Sequence, residues 1–429
     1  MSKHKLSLAS AIAININIML GAGIFINTVL LAKNAGFLGG LVYPLVGLLI
    51  LPLIVALTFL TKQQIGGTFY HFGKVFNPFI GFLSSWIYFT AKLASCALGI
   101  HVFVSLMQQI FLTLKMYNTL FLDLTILTLF VMLNLLNLRI GRSIQFSFIA
   151  LKLIPIIFAI TTGAILFSGA NIDISSLNLL GIPASIPFVL FAFSGFEASC
   201  SLSDSIEDSE KNAGKAMLIS YLLVISIVTL YQILFYGALG SQLTQLNSYL
   251  NAFPALIEKL GLTNFKMLFI AILNSAIASS ALGASYGIMY SNSWNLYTLA
   301  QNKHLFFSEK ISQLNKHFMP FVCIIVEGLI AATYLILTRG NQVPLQQTSA
   351  FGGAIAYTIS CAAFLYLSYK NNQSKIWPIL SILSCTLLLA AAMRSFIVYG
   401  LMPLFLFFII VLFGIMMFHG SKNNYDAKI

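Results

Sequence analysis

Long apolar runs, separated by short polar connections, make up most of this chain. A helix of about 20 apolar residues is enough to cross a bilayer, and twelve runs are of this kind. The predicted spans are residues 8–32, 37–60, 79–106, 119–138, 144–168, 184–203, 214–240, 264–292, 320–338, 346–369, 376–394 and 401–419. The pattern predicts an all-α polytopic membrane protein with a single transmembrane domain over residues 1–429.

Composition and charge agree with this pattern. Hydrophobic residues make up 59% of the 429 positions and charged residues 8%, whereas a soluble domain carries about 25% charged residues. A water-soluble enzyme is therefore excluded. The net charge of +12 comes from cations dispersed among the connections, not gathered on one polar face as in a nucleic-acid binder. We therefore expect no nucleic-acid partner.

Motifs of enzymes and cofactor sites are not apparent in the sequence. The five cysteines are scattered through apolar runs and lack the close spacing of metal ligands. No nucleotide-binding loop and no catalytic triad is recognisable. We therefore expect no cofactor, no metal and no enzymatic activity.

The distribution of positive charge predicts the orientation in the membrane. If the spans alternate in direction, 15 of the 23 Lys and Arg residues lie on one side and 6 on the other, while Lys92 and Lys152 lie inside spans. Because cytoplasmic loops carry the excess of Lys and Arg, both termini are predicted to be cytoplasmic. We expect the protein in the cell membrane, which is the inner membrane in a Gram-negative bacterium. The connection 293–319 mixes lysines with apolar residues and is predicted to form a helix at the membrane surface.

Two spans contain glycines at mid-membrane depth. In the first span these are Gly21 and Gly23, and in the sixth span Gly195 precedes Glu197. Glycine costs about 1 kcal/mol in a helix, and lipid offers no hydrogen bonds to freed backbone groups. Such interruptions persist where they line a cavity, although close helix packing through small residues is an alternative explanation. Five spans separate the two, so equivalent segments have opposite orientations, which is typical of transporter sites between inverted halves.

Five short motifs, in order along the chain, resemble those of the amino acid–polyamine–organocation (APC) transporters. They are Gly21–Phe25 in the first span, Gly66–Tyr70 after the second, Phe193–Glu197 in the sixth, Asp204–Asn212 after it, and Asn295–Lys303 after the eighth. The chain departs from the family pattern in the connections. Ser209 and Gly214 replace prolines, Asn295 or a neighbour replaces an arginine, and Lys303–His304 replaces an Asp-Gly pair.

The resemblance implies a leucine-transporter-like fold and a transport function. The fold would comprise a first five-helix repeat at 8–168, an inverted second repeat at 184–369 and two additional helices at 376–419, with helices 1 and 6 unwound. The function would be secondary active transport of amino acids or related amines by alternating access, as an exchanger or a proton-coupled permease. A channel and a non-transporting membrane sensor are the alternatives. The expected partners are the substrate, protons and the lipid bilayer, and the protein is expected to be a monomer or homodimer.

A zwitterionic amino acid inside the membrane needs donors for its carboxylate and acceptors for its ammonium. A helix N-terminus provides free N–H groups and partial positive charge, and we assign the carboxylate to the N–H groups of Ala22, Gly23 and Ile24. The ammonium is assigned to carbonyls around the two interruptions. The substrate-binding residues predicted there are Ile18, Met19, Phe191, Ser194 and Gly195.

Selectivity for the substrate side chain is expected from neighbouring spans, with Met289 in the eighth span as one contact and Phe191 as an aromatic gate. No additional carboxylate is apparent for a cationic side chain, so neutral amino acids are favoured.

Lys92, Lys152, Glu197 and Glu327 are the charged residues expected to lie within the membrane. By the resemblance, Glu197 takes part in gating or proton-linked coupling, and Lys152 replaces the sodium ion of related transporters. The alternatives are that Glu197 stabilises the interruption and that Lys152 is a static structural cation. Lys92 and Glu327 are expected to form structural ion pairs, with each other as one possibility; contact with a water-filled path or snorkelling are the alternatives.

Overall fold

The computed structural model is all-helical over the residues it describes, which are 5–63, 68–136, 138–172, 179, 181–262 and 265–426. Gly66 and Gly67 of the second motif lie outside these residues. The helices are α1 Leu8–Met19, α2 Gly23–Ala35, α3 Gly39–Gln63, α4 Phe69–Lys74, α5 Pro78–Ile110, α6 Thr119–Asn134, α7 Leu138–Ile165, α8 Gly181–Phe193, α9 Ala198–Ser201, α10 Ser209–Leu239, α11 Ser241–Gln245, α12 Ala252–Lys259, α13 Lys266–Gln301, α14 Ser308–Ile311, α15 Phe321–Thr338, α16 Gln342–Lys370, α17 Ile376–Tyr399 and α18 Met402–Asp426.

The helices have the length and composition of membrane spans. Ten helical stretches of the described residues are long and apolar enough to cross a bilayer, and α1 and α6 are shorter apolar helices. Large apolar side chains are exposed on the outer helices, for example Leu48, Ile397 and Ile409 at 67%, 77% and 62%. Because lipid solvates such side chains, this surface agrees with a polytopic membrane protein.

Local sequence explains where several helices begin and end. The Asn77 side chain accepts a hydrogen bond from the Ile80 N–H at 2.9 Å at the start of α5, and Asn118 caps α6 in the same way. Asparagine is a favoured residue at this position because its oxygen pairs a free helix N–H. Gly36 (φ 58°) separates α2 from α3, and Gly240 (φ 60°) ends α10. Glycine adopts this left-handed backbone without steric cost.

The two longest helices, α5 and α13, pack together at the centre of the molecule. A Cβ atom at Gly99 of α5 would lie 2.2 Å from the Ser285 side chain of α13, so the close approach requires glycine. The Ser285 hydroxyl donates to the Cys96 carbonyl at 2.9 Å. Small residues let membrane helices approach this closely and exchange side-chain hydrogen bonds. These two helices form one wall of the site described below.

The prediction of a surface helix over 293–319 is wrong. Helix α13 continues to Gln301 because Leu296, Leu299 and Ala300 are buried against the rest of the protein. After it, the described helical structure in this segment is the four-residue α14. The connection between the seventh and eighth spans, by contrast, contains α11 and α12, which the apolar pattern did not indicate.

Candidate functional site

The first predicted interruption separates α1 from α2. Helix α1 ends at Met19, residues 20–22 are not helical, and α2 begins at Gly23. The Ser280 hydroxyl of α13 donates to the Leu20 carbonyl at 2.7 Å, which pairs one backbone group released by the interruption. At Gly21, a Cβ atom would lie 2.7 Å from the Ala284 Cβ. Both contacts hold the interruption against α13.

The second predicted interruption separates α8 from α9. Helix α8 ends at Phe193, and a turn over residues 194–197 leads into α9. Gly195 has φ 132°, a conformation that is strained for any residue with a side chain. The Ser194 N–H donates to the Phe191 carbonyl at 3.2 Å, and the Ala198 N–H donates to the Gly195 carbonyl at 3.1 Å.

The two interruptions pack directly against each other. A Cβ atom at Gly195 would lie 2.4 Å from the Ile18 side chain and 3.1 Å from the Met19 nitrogen. A Cβ atom at Gly23 would lie 3.0 Å from the Ala192 Cα. The ends of α1 and α8 and the starts of α2 and α9 therefore meet at one place, where the backbone of one interruption faces the backbone of the other.

A small, partly open cavity lies where the helix ends meet. Its volume is about 30 Å³, which is room for little more than one water molecule. Six predicted site residues line it: Ile18, Met19, Ala22, Gly23, Phe191 and Ser194. The remaining lining comes from α5, α13 and neighbouring positions of the interruptions: Gly21, Ser95, Gly99, Ala192, Ala281, Ala284 and Ile288.

Three other predicted site residues lie near this cavity without lining it. Ile24 is buried in the first turn of α2, and Gly195 packs against the cavity residue Ile18. Met289 is fully buried one position after Ile288, which lines the cavity.

The sequence did not indicate Ser95 and Gly99 of α5, or Ala281 and Ala284 of α13, as cavity residues. Ser95 and Ser349 are hydrogen-bonded at 2.5 Å, which joins α5 to α16. The only sequence signal for these positions is a run of small residues, and small residues are common wherever membrane helices pack closely.

Several groups contact Glu197 next to the second interruption, among them the Tyr357 side chain. Its carboxylate accepts hydrogen bonds from the Gly195 N–H and the Tyr88 hydroxyl, each at 2.9 Å. It also forms an ion pair with Lys92, whose ammonium hydrogen-bonds to the hydroxyl of Ser194. Lys92 and Glu197 are 3% and 0% exposed. The partner of Lys92 is therefore Glu197, and the pair with Glu327 considered from the sequence is not formed.

Lys152 of α7 is fully buried and contacts the end of α1. Its ammonium donates to the Asn17 carbonyl at 2.6 Å, two residues before α1 ends. The Asn17 side chain in turn donates to the Gly283 carbonyl of α13 at 2.8 Å and to Gln145 of α7. Lys152 and Asn17 thus connect the first interruption to α7 and α13.

The described part of the second motif lies beside the Glu197 network. Phe69 of α4 stacks on Tyr88 with ring centroids 4.0 Å apart. The Tyr70 hydroxyl and His304 are 2.9 Å apart and hydrogen-bonded. His304, which stands where the family has a glycine, thus contacts the second motif. Burial raises the pKa of Tyr70 to about 12. Burial, followed by the nearby Lys74 charge, lowers the pKa of His71 to about 4.

Comparisons with known proteins identify the family of this chain. A family model described as amino acid permease matches residues 6–426. The serine/threonine exchanger SteT of Bacillus subtilis is 26% identical, with 98% of each chain covered. The aromatic amino acid transport protein AroP of Escherichia coli is 22% identical over 80% of this chain and 74% of its own length. An uncharacterised transporter of Mycobacterium tuberculosis is 21% identical over 93% and 88%. The chain therefore belongs to the amino acid permease family, within the APC superfamily that the motifs indicated.

Proposed function

We propose that this protein is a secondary active transporter that moves amino acids or related amines across the cytoplasmic membrane by alternating access. The observation that carries the proposal is the meeting of two interrupted helices at one small cavity. Interrupted helices at mid-membrane depth expose backbone donors and acceptors where lipid cannot reach them. A zwitterion requires such groups, whereas a packing contact between small residues does not.

The substrate carboxylate is assigned to the start of α2. The first N–H groups of a helix have no partner within the helix, and the positive end of the helix dipole favours an anion. At α2 these groups belong to Gly23 and Ile24, with Ala22 at the cap position. Because Ala22 has no hydroxyl, the backbone supplies the donors.

The substrate ammonium is assigned to backbone carbonyls at the ends of α1 and α8. The last carbonyls of a helix carry partial negative charge and lack partners within the helix. Ile18 and Met19 are the final residues of α1. Phe191 is two residues from the end of α8, and its carbonyl, which already accepts from the Ser194 N–H, has a second lone pair to offer. Ser194 and Gly195 extend this acceptor surface into the turn. The two charges of a zwitterion would thus contact helix ends of opposite polarity.

Substrate selectivity follows from the side chains that line the cavity. They are small, hydroxylic or apolar, and no carboxylate is among the lining residues of the described structure. Glu197 is nearby, but its charge is already balanced by Lys92. A cationic side chain would therefore lack a counterion, so we propose neutral amino acids as the substrates. The named relatives make serine, threonine and the aromatic amino acids the first to test.

The cavity is too small to hold an amino acid in this conformation, so transport requires the helix ends to move apart. Phe191 lies on the cavity wall and is the proposed gate. Glu197 and Lys152 are the proposed gating and coupling residues, because each connects an interruption to a neighbouring helix. Glu197 also bonds the Gly195 N–H, so stabilising the turn and gating are compatible roles.

We further propose twelve spans with both termini cytoplasmic. Helices α1 with α2 and α8 with α9 would each form one interrupted span, and the other long helices together with α6 would supply the remaining ten. The first repeat would cover 8–168, the inverted second repeat 184–369, and the additional helices 376–419. The distribution of Lys and Arg supports the cytoplasmic termini.

Uptake by purified protein in liposomes tests this function. Liposomes loaded with one amino acid are assayed for uptake of labelled neutral, cationic and aromatic amino acids and polyamines, with and without a pH gradient. We expect uptake of neutral amino acids. Uptake that requires an internal amino acid indicates exchange, and uptake that follows the pH gradient indicates proton coupling. No uptake of any compound in the panel would contradict the proposed function.

A further inference from the structure

Glu327 differs from the other buried carboxylates. Three carboxylates are buried in the described part of the chain. Asp123 contacts His101 at 2.8 Å and Glu197 pairs with Lys92, whereas Glu327 forms no ion pair with any described residue. Glu327 is 0% exposed, and neither of its oxygens has a hydrogen-bond partner of normal geometry among the described residues.

Thiols and an amide surround Glu327, and no described cationic side chain lies within ion-pair distance of it. Two titratable groups interact with it: Cys96 on α5, and Cys323 on α15, the helix that also carries Glu327. Helix α13 contributes the Asn292 side chain, and α6 contributes the apolar Val131 beside Gly328. Among the described residues, α14 and α16 bring no charged group into ion-pair distance. An ionised carboxylate in such surroundings is strongly disfavoured because nothing replaces its hydration.

A chain of buried polar side chains leads from Glu327 to the sixth span. The Asn295 amide donates to the Asn292 side-chain oxygen at 3.1 Å and to the Ser201 hydroxyl at 2.9 Å. Ser201 is the last residue of α9, the short helix that follows the second interruption. Asn292, Asn295 and Ser201 are all buried. A rearrangement of the sixth span would therefore change the surroundings of Glu327.

We propose that Glu327 is a proton-binding site of this transporter, neutral in the present conformation and titrated when the sixth span rearranges. The inference rests on the proposed function, because it assigns the proton that transport would carry. In the proposed step the Glu327 O–H bond breaks and the proton passes to a water molecule admitted by the rearrangement. The hydronium ion formed passes the proton to the solvent on that side, and the carboxylate that remains accepts hydrogen bonds from water and from the Asn292 amide. Rebinding of a proton from the opposite side reverses the step.

Infrared spectroscopy of the reconstituted protein tests proton binding without requiring transport. We expect a protonated-carboxyl C=O band at neutral pH that is absent in E327Q. The matched control E309Q removes an exposed carboxylate of α14 and should leave the band unchanged. Asn292→Leu removes the neighbouring amide and should shift the band, which assigns it even if E327Q does not fold. If no band at neutral pH is attributable to Glu327, the carboxylate is ionised and the proposal is overturned.

Uptake driven by a pH gradient tests the coupling. For one coupled proton, a gradient of one pH unit supports up to about tenfold accumulation of substrate. We expect the ratio of uptake with the gradient to uptake without it to exceed one in the wild type and in E309Q, and to fall to one in E327Q. A wild type that transports without responding to the gradient, or an E327Q variant that still responds, would overturn the proposal. A wild type that transports nothing would contradict the proposed function instead, and the infrared band would still decide whether Glu327 binds a proton.

Discussion

At the scale of single residues, the ion pair of Lys92 and Glu197 is the most constrained contact near the site. Both residues are almost completely buried, and Tyr88, Ser194 and the Gly195 N–H supply additional hydrogen bonds. Removing one partner of a buried pair leaves an uncompensated charge, which is more costly than replacing both partners. The pair thus determines how the turn between α8 and α9 is held.

Lys92→Met should therefore destabilise the protein by about 3–5 kcal/mol. The double variant Lys92→Met/Glu197→Gln should recover part of this loss, because no uncompensated charge remains. Unfolding of detergent-solubilised protein by heat or denaturant measures the difference. Lys266→Met is the matched control, since the pair of Lys266 with Glu258 is solvent-exposed and such pairs contribute little. Equal losses in the single and double variants would show that the ion pair is not what stabilises the turn.

His71 should make stability depend on pH. Its pKa in the folded protein is about 4, below the ordinary value of about 6.5, so the unfolded chain binds a proton that the folded protein excludes. The stabilising contribution is complete above about pH 6.5 and decreases as the pH falls towards 4. The melting temperature of the wild type should fall relative to that of His71→Gln as the pH is lowered from 7.5 to 5, because glutamine does not titrate. Parallel melting curves over this range would contradict the assignment.

At the scale of elements, the two interruptions depend on glycines that exclude side chains. Gly195 combines φ 132° with the contact to Ile18, and Gly23 lies against the backbone of Ala192. Each interruption is fixed by its contact with the other. A change in one should therefore disturb the whole cavity.

Gly195→Ala should greatly reduce transport. The added Cβ would overlap the Ile18 side chain, and a left-handed backbone costs a residue with a side chain about 1–2 kcal/mol. Gly169→Ala is the matched control, because a Cβ there meets nothing within 4 Å. Initial uptake rates, normalised to folded protein from size-exclusion chromatography, measure the effect. Similar rates in Gly195→Ala and Gly169→Ala would argue against a close contact between the interruptions.

Lys152→Ala should also greatly reduce transport, because the Asn17 carbonyl near the end of α1 would lose its hydrogen bond from the Lys152 ammonium. Lys215→Ala removes an exposed lysine and should leave the rate unchanged. The family resemblance implies that Lys152 replaces a sodium ion, so replacing sodium by choline is expected not to slow the wild type. Wild-type uptake rates in Lys152→Ala would disprove the role assigned to this residue.

The sequence indicated the helices and their interruptions because these follow from local chemistry. Apolar runs predict spans, and glycine beside Glu197 within such a run predicts a break. The pairing of Lys92 with Glu197 could not be predicted, since 105 residues separate the two and each had several candidate partners. The prediction of a surface helix at 293–319 was wrong because apolar residues mixed with lysines do not show what the apolar residues pack against. Here those at the end of α13 pack against other helices and not against lipid.

At the scale of the whole molecule, the long helices surround a polar centre that lipid does not reach. The interruptions, Lys152 and the Lys92–Glu197 pair all contact this centre. Glu327 is joined to it through α13. Charge is scarce in the chain, and most of the buried charge lies close to the cavity. Because several helices contact the cavity, we expect the cavity to open only when these helices move together.

Protection of a cavity cysteine by substrate tests the location of the site most directly. Ser95 lines the cavity, and the five native cysteines are buried. In reconstituted protein, a transported neutral amino acid should slow alkylation of Ser95→Cys by a small thiol reagent. It should not affect Ser241→Cys, which is exposed at the start of α11. If a transported amino acid leaves the alkylation rate of Ser95→Cys unchanged, the substrate does not bind between the two interrupted helices.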